Sequence, residues 1–301
     1  MEQTTLDTSS KKIAIIGGYG KMGAWFAWLL KSEGHRVTII GRDKDRLAAA
    51  AVELGVAATD SLDKAAEADI VIISVPVDSF EAVCRDLGPS MRTGQKVFDL
   101  TSVKAKPVDL MHRHLGRARI LGAHPVFGPG AASLHGQNFI LTPTDATETN
   151  LAEKVSQWLK HRGARVRITT PEEHDRLMAV SLGLAHFIAI VTADALVSLD
   201  MLTEMSGASG ITYKALLTLV ESVLSEDPAL YASLQLNLPQ LPEMETLFSD
   251  KAGEWARLVK DGRRDEFISR MSALKTRLEA ANPDFGASYQ NLYRLADRRG
   301  D

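Results

Sequence analysis

A single cysteine, Cys84, stands among 301 residues. That scarcity excludes an intrachain disulfide and any Cys-rich metal centre, and it suits a reducing compartment, so a cytoplasmic protein is expected. Charge of one sign is also lacking. The 35 basic and 38 acidic residues leave a formal charge of −3, which argues against a nucleic-acid binder. No stretch approaches the run of about 18 uncharged apolar residues that a membrane span needs, so no membrane partner is expected. The polar start, Met1 to Lys12, has no apolar signal-peptide core, and residues 1–10 read as a disordered tail. There is no Gly-x-Ser-x-Gly nucleophile elbow, no His or carboxylate pair with metal-ligand spacing, no repeat and no low-complexity segment. The length suggests two domains of an ordinary soluble globular protein.

What is present begins at the apolar run Ile13–Ile16, followed by Gly17-Gly18-Tyr19-Gly20-Lys21-Met22-Gly23 and an apolar helix start at Ala24–Leu30. Strand, G-x-G-x-x-G and helix in that order predict a dinucleotide site over Gly18, Tyr19, Gly20, Lys21, Met22 and Gly23, as against a merely structural turn. Gly18 permits the tight turn, Gly20 the approach of a pyrophosphate, and Gly23 close packing of helix on strand. The second strand, Val37–Ile40, ends in Gly41-Arg42. An NAD site usually carries a carboxylate there, so its absence beside a guanidinium favours NADP over NAD. Asp43 is one residue further on and within reach of a ribose; the competing view is a solvated Arg-Asp-Lys turn.

Strands and helices alternate up to Arg165–Ile168. Further strands are expected at 70–73, 97–100, 120–123 and 138–141, with an Ala-rich helix over 44–54, which argues for a parallel sheet with crossover helices. Thr170-Pro171-Glu172-Glu173 then starts a helix running to about Leu199, with a Thr cap and Pro in first position. Beyond it everything reads helical. The expected fold class is α/β: an N-terminal Rossmann-type dinucleotide-binding domain over 11–169, followed by an all-helical domain over 170–301. Leu184–Val197 is apolar on nearly every face, so it is expected to be buried in a large core or between subunits, most simply in a homodimer through the helical domain.

Three loops at strand ends carry polar groups: Ser74-Val75-Pro76, Asp99 to Lys104, and Gly122 to Pro129. Ligands of open α/β sheets bind at such ends. His124, held by Pro125 and flanking glycines, suits a positioned acid/base group, against the alternative of a backbone-bonded turn histidine. Lys104, taken alone, reads as a solvated lysine. His186, in an apolar helix, needs a partner or a pocket. His174 reads as solvated or as a local cap partner, and His112, His114, His135 and His161 as surface.

Taken together, Ser74-Val75-Pro76, Asp99-x-x-Ser102-Val103-Lys104, His124-Pro125-x-Phe127-Gly128-Pro129, Glu173-His174-Asp175, Ala185-His186-Phe187 and Asp227-Pro228-x-Leu230-Tyr231-Ala232 resemble, in this order, the prephenate dehydrogenases. The likeness is nearest to the dehydrogenase part of bifunctional bacterial enzymes and to archaeal forms. It spans residues 12–298, with no chorismate mutase segment expected before it. The resemblance implies a step of aromatic amino-acid biosynthesis, the oxidative decarboxylation of a small cyclohexadienyl substrate. Hydride leaves C4 for NAD(P)+, the ring carboxylate departs as CO2, and the ring becomes aromatic. It implies that His124 takes the 4-hydroxyl proton, that Ser102 sits beside His124 and orients it or the hydroxyl, and that Lys104 supports the loop electrostatically. Ser74, Val75 and Pro76 would border the cofactor with Arg42, and His186 would line the substrate pocket. A neutral imidazole is needed, so activity is expected to rise through a pKa near neutrality.

One departure bears on substrate identity. Family members usually carry a carboxylate-clamping arginine five residues before Asp-Pro; here that residue is Ser222, with Lys214 after Tyr213. Serine does not replace a bidentate arginine. Either Lys214 takes the carboxylate, or the substrate is arogenate or 4-amino-4-deoxyprephenate rather than prephenate. Two other functions compete: a hydroxyacid or imine reductase of similar build, disfavoured by His186 on the long helix, and a catalytically silent NADP-binding sensor, disfavoured by the intact His124, Ser102 and Lys104 set.

Overall fold

The computed structural model describes residues 10–205 and 207–297. Its first part is one eight-stranded sheet in the order β3-β2-β1-β4-β5-β6-β7-β8. In chain order these are β1 (Lys12–Ile16), α1 (Lys21–Ser32), β2 (Arg36–Ile40), α2 (Lys44–Leu54), β3 (Ala57–Thr59), β4 (Ile70–Ile73), α3 (Val77–Leu87), β5 (Lys96–Asp99), α4 (Ala105–His114), β6 (Arg119–Pro125), β7 (Asn138–Thr142), α5 (Ala146–His161) and β8 (Arg165–Ile168). Residues 1–9 of the expected tail lie outside the described residues; the Ser10 hydroxyl donates to the Gly34 carbonyl at 2.9 Å.

The near-continuous apolar sequences of β1 and β4 follow from burial on both faces. Ile13 and Ile15 pack with Trp25, Phe26 and Leu30 of α1, whereas Ala14 and Ile16 share the opposite core with Phe80 and Leu87 of α3 and Met111 of α4. Strand β1 pairs with both β2 and β4, so the order reverses there and a crevice opens at their C-terminal ends. The sheet is not wholly parallel, as the alternation suggested. β7 runs antiparallel to β6, because residues 126–137 between them form no helix and a parallel return usually requires one.

The Thr170 hydroxyl accepts from the Glu173 amide at 3.2 Å and starts α6 (Pro171–Met178). The expected single helix is interrupted by a wide π turn over Ala179–Leu184 before α7 (Ala185–Ser198). There follow α8 (Leu202–Met205), α9 (Ile211–Leu224), α10 (Pro228–Leu236), α11 (Leu241–Lys260), α12 (Arg264–Ala281) and α13 (Ser288–Asp297). The chain forms two compact units: the first runs through Met178 and includes Leu236–Leu238, the second comprises Ala179–Gln235 and the residues from Pro239 onward. Helix α6 packs against α4 and β7 and so counts with the first unit.

Of α7, only Ala189 is fully buried, while Val191 and Val197 are exposed; of the two expected covers, the second unit's own core does not enclose it. By length and composition alone Pro171–Ser198, with a mean hydropathy of 1.9 over its best window, could cross a membrane, but its first part, α6, packs against α4 and β7. His186, Ser181 and Gly183 break the strictly apolar run in the sequence, but no Asp, Glu, Lys or Arg occurs between Arg176 and Asp194.

Candidate active site

The glycine loop closes β1 onto α1. The left-handed residue is Gly17, with φ 77°, and not Gly18 as the motif suggested. Gly18 is needed for a different reason: a Cβ there would run into Ile39 and the Ile15 carbonyl. A Cβ on Gly23 would come within 2.5 Å of the Gly17 carbonyl oxygen, a backbone atom that cannot yield. Helix α1 starts after Gly20 with no side-chain cap. An uncapped helix N-terminus reached through a tight glycine turn fits the pyrophosphate of a dinucleotide.

At the end of β2, the ring of Tyr19 fills the space beside Gly41 where a Cβ would project. The Arg46 guanidinium lies over that ring, 4.8 Å from its centroid, and Arg42 is exposed. Asp43 is the N-cap of α2, accepting from the Arg46 amide at 3.1 Å, so it serves the helix rather than standing free for a ribose. The Ser74-Val75-Pro76 loop abuts the glycine loop: the Ser74 amide donates to the Ile16 carbonyl at 2.8 Å, and a Cβ on Gly17 would strike the Ser74 carbonyl. Pro76 caps α3.

Behind this crevice lies a buried polar chain. His124, in β6, is 3% exposed and pairs with Ile140 of β7. Its Nδ1 lies 2.8 Å from Nε2 of His174, whose Nδ1 lies 2.7 Å from Oδ1 of Asp175. That carboxylate also accepts from the backbone amides of Lys104 and Ala105, at 2.7 and 2.9 Å, and so holds the start of α4. Beneath, the Lys104 ammonium pairs with Asp99, both side chains wholly buried. Asp99 also accepts from the Thr101 amide at 2.7 Å. Gly122 makes room for this pair, since a Cβ would stand 3.1 Å from Lys104 Cδ.

Burial sets the proton affinities here. It holds His124 well below its ordinary range, assisted by His174 and the Lys104 charge. Burial likewise lowers His174, against the pull of its bond to Asp175. The same desolvation raises Asp99 and lowers Lys104, each opposed by the other's charge. His124 is therefore neutral well below neutrality, and the expected titration near neutral pH moves to acid. Burial also pushes the Cys84 thiol up to about 12, so it is inert as a nucleophile at neutral pH.

Two readings of single residues are corrected. Lys104 is an interior residue paired with Asp99, not a solvated one. His174 is fully buried, not a solvated cap partner. His174 occupies Nδ1 of His124, and half-buried Ser102 makes no side-chain hydrogen bond among the described residues. A signal for His174 did exist: Pro171, His174, Asp175 and Met178 are all buried, the i, i+3, i+4, i+7 stripe of a packed helix, but two of its members are polar.

In the second unit, His186 stacks edge-on against Tyr231 at 4.7 Å, with no partner on Nδ1, and burial lowers its pKa. Gln235, one turn beyond Tyr231, donates to the Gly183 carbonyl at 3.0 Å, and its Oε1 is buried without a partner. The Tyr213 hydroxyl is also buried and unpartnered. Lys214 and Ser222 are exposed along α9. The Ser222 hydroxyl turns back onto its own helix, donating to the Leu219 carbonyl at 2.8 Å. Sequence reasoning placed Tyr231 in a motif but did not assign it to the site.

Comparison with known proteins gives one family. The family model "Prephenate dehydrogenase, nucleotide-binding domain" matches residues 26–168, and "Prephenate dehydrogenase, dimerization domain" matches residues 170–273. A "Probable arogenate/prephenate dehydrogenase" of Methanocaldococcus jannaschii is 34% identical over 86% of this chain and 59% of its own length. The "T-protein" of Haemophilus influenzae is 28% identical over 81% of this chain and 61% of its own length; the chain thus spans about three fifths of these relatives. A "4-amino-4-deoxyprephenate dehydrogenase" of Streptomyces pristinaespiralis is 24% identical over 93% of this chain and 94% of its own. Among solved structures, prephenate dehydrogenase from A. aeolicus in complex with hydroxyphenyl propionate and NAD+ superposes with a TM-score of 0.76, covering 91% of this chain and 99% of that one at 23% identity.

Proposed function

The chain belongs to the prephenate dehydrogenase family, and from that premise we propose that it catalyses the oxidative decarboxylation of a prephenate-type cyclohexadienyl substrate, with NADP+ as the preferred hydride acceptor. The observation that carries the proposal is His124: a neutral, buried imidazole at the end of β6, tethered among the described residues through Nδ1, on the strand-end side that also carries the glycine loop. A base kept neutral is ready to accept a proton without first losing one.

In this reaction the dinucleotide supplies the hydride acceptor. His124 takes the 4-hydroxyl proton as hydride leaves C4 of the ring; CO2 departs from C1, and the proton returns to the ring oxygen as the ring becomes aromatic. Atoms and charge balance, with prephenate and NADP+ giving 4-hydroxyphenylpyruvate, CO2 and NADPH. Ser102 is assigned to the substrate hydroxyl, since His174 already occupies His124 Nδ1. Lys104, closed in by Asp99, acts on the loop and not on substrate. Gly18, Tyr19, Gly20, Lys21, Met22, Gly23, Ser74, Val75 and Pro76 are assigned to the cofactor, and Arg42 to its 2′-phosphate. His186, Tyr213 and Lys214 are assigned to substrate. Domain limits of 11–169 and 170–301, a homodimer through the helical part and a cytoplasmic location belong to the same proposal.

Ser222 supports a second reading, the 4-amino-4-deoxyprephenate or arogenate reaction. Its hydroxyl is spent on its own helix, so it supplies no clamp for a carboxylate. The test is kcat/KM for prephenate, arogenate and 4-amino-4-deoxyprephenate with NADP+ and NAD+, following nicotinamide reduction and CO2 release. His124→Asn should lower kcat by roughly 10²–10⁴ while leaving cofactor Kd unchanged. Turnover by that variant within about threefold of wild type, where general acid–base catalysis is worth far more, would sink the assignment.

A further inference from the structure

We propose that His174 and Asp175 are positioning residues that fix the tautomer of His124, keeping its Nε2 unprotonated and turned to the substrate. The proposal rests on His124 being the proton acceptor of the reaction just given.

The inference starts at the far end of the chain. Asp175 Oδ1 and Oδ2 accept from the amides of Lys104 and Ala105, at 2.7 and 2.9 Å. Two backbone donors fix the plane of the carboxylate and leave its oxygens as acceptors toward His174. A carboxylate only accepts, so the 2.7 Å contact with His174 must be donated by Nδ1–H. A neutral His174 with its proton on Nδ1 carries a lone pair on Nε2. The group facing that lone pair is His124 Nδ1, at 2.8 Å, which must therefore be the donor. The one proton of neutral His124 is thus committed to Nδ1. In water the opposite tautomer of imidazole is the commoner, and it would offer the substrate hydroxyl a donor where an acceptor is required.

Among the described residues, the charged and titratable groups that act on His124 are Lys104, from the loop before α4, and His174 with its partner Asp175, from α6, while Asp99 of β5 pairs with Lys104. Its strand partner in β7 is Ile140, which is uncharged. Burial and Lys104 oppose a cation on His124, and His174 passes the compensating interaction from Asp175 to the ring once Nε2 takes the proton. No proton need move beyond His124, because it is handed back when the ring becomes aromatic. The same carboxylate sits at the start of α4, so the loop carrying Ser102 and the orientation of His124 are set by one group.

The test combines turnover with a direct reading of the ring. ¹⁵N-histidine NMR of the wild-type protein, assigned with His124→Asn and His174→Gln, should show His124 protonated at Nδ1 and not at Nε2. His174→Leu should lower kcat by roughly 10²-fold, with KM and NADP+ Kd within about twofold. His174→Gln should recover most of the loss, since its amide can accept from His124 and donate to Asp175. A wild-type His124 protonated at Nε2 would overturn the proposal whatever the variants do. So would a His174→Leu enzyme with wild-type turnover, or equal losses in the Leu and Gln variants. Each of those outcomes, found alongside an inactive His124→Asn enzyme, leaves the dehydrogenase reading standing; an active His124→Asn enzyme removes that reading instead.

Discussion

The Lys104–Asp99 pair is wholly buried, and burying two charges is costly unless they stay paired. Removing one partner strands a charge in the interior, so Lys104→Met should destabilise the protein by about 3–5 kcal/mol, read as a lower urea midpoint. Adding Asp99→Leu should recover much of that loss, because the uncompensated carboxylate goes with it. The two histidines above the pair set a pH dependence of known sign. Their folded pKa values lie below the ordinary one, whereas the unfolded chain titrates near about 6.5. Above that pH they contribute no slope. Below it the unfolded state binds more protons, so stability should fall as the pH drops toward the folded values. Thermal midpoints between pH 8 and 5 test this, and His124→Gln should flatten the acid side. Over the same range kcat/KM should stay level through neutrality and decline only in acid; a midpoint near 7 would show His124 to be far better solvated than its 3% exposure implies.

At the scale of elements, cofactor choice rests on the meeting of β2 with the glycine loop. The Tyr19 ring, beneath Arg46, occupies the place of a side chain at Gly41, so the carboxylate typical of an NAD site cannot be installed there by Gly41→Asp alone. Arg42→Ala should weaken NADP+ by roughly 10- to 150-fold, the worth of a charged hydrogen bond, and leave NAD+ unchanged in a titration of Kd. Gly41→Asp should favour NAD+ only when Tyr19→Ala vacates the space. A wild type that binds NAD+ tenfold tighter than NADP+ would refute this account of the strand end. The contrast with what could be read beforehand is physical. β1 and β4 were legible because burial on both faces demands apolar residues in sequence. β3 was not, since Ala57–Thr59 is a short, largely exposed edge with no pattern to impose. The reversal of β7 depends on a helix that fails to form, and the histidine chain on packing between α6 and β6, elements far apart in sequence. His124 itself was legible because proline and glycine fix its backbone locally; its partner was not, because polar residues on a buried stripe imitate a solvated turn.

At the scale of the whole molecule, the second unit presents apolar surface. Val191, Val197 and Leu199 of the α7 segment and Leu216, Leu219 and Leu224 of α9 are exposed in the single chain, a density of apolar surface that marks an interaction site. The matching family model for residues 170–273 is a dimerization domain, which supports a second copy as the cover; the apolar length of Pro171–Ser198 makes a lipid surface the competing one. The two separate experimentally. Val197 is 64% exposed, so on a solvated face Val197→Glu should change stability by no more than about 0.5 kcal/mol and leave the assembly untouched. At a dimer interface the same change buries an unpaired charge, and sedimentation equilibrium should show a dimer in the wild type and a monomer in the variant. Because the altered residue is remote in sequence from the His124 chain, the folded monomer should retain NADP+ binding by its first unit. A wild type that sediments as a monomer without detergent and floats with vesicles of neutral phospholipid would instead assign the exposed helix to a membrane.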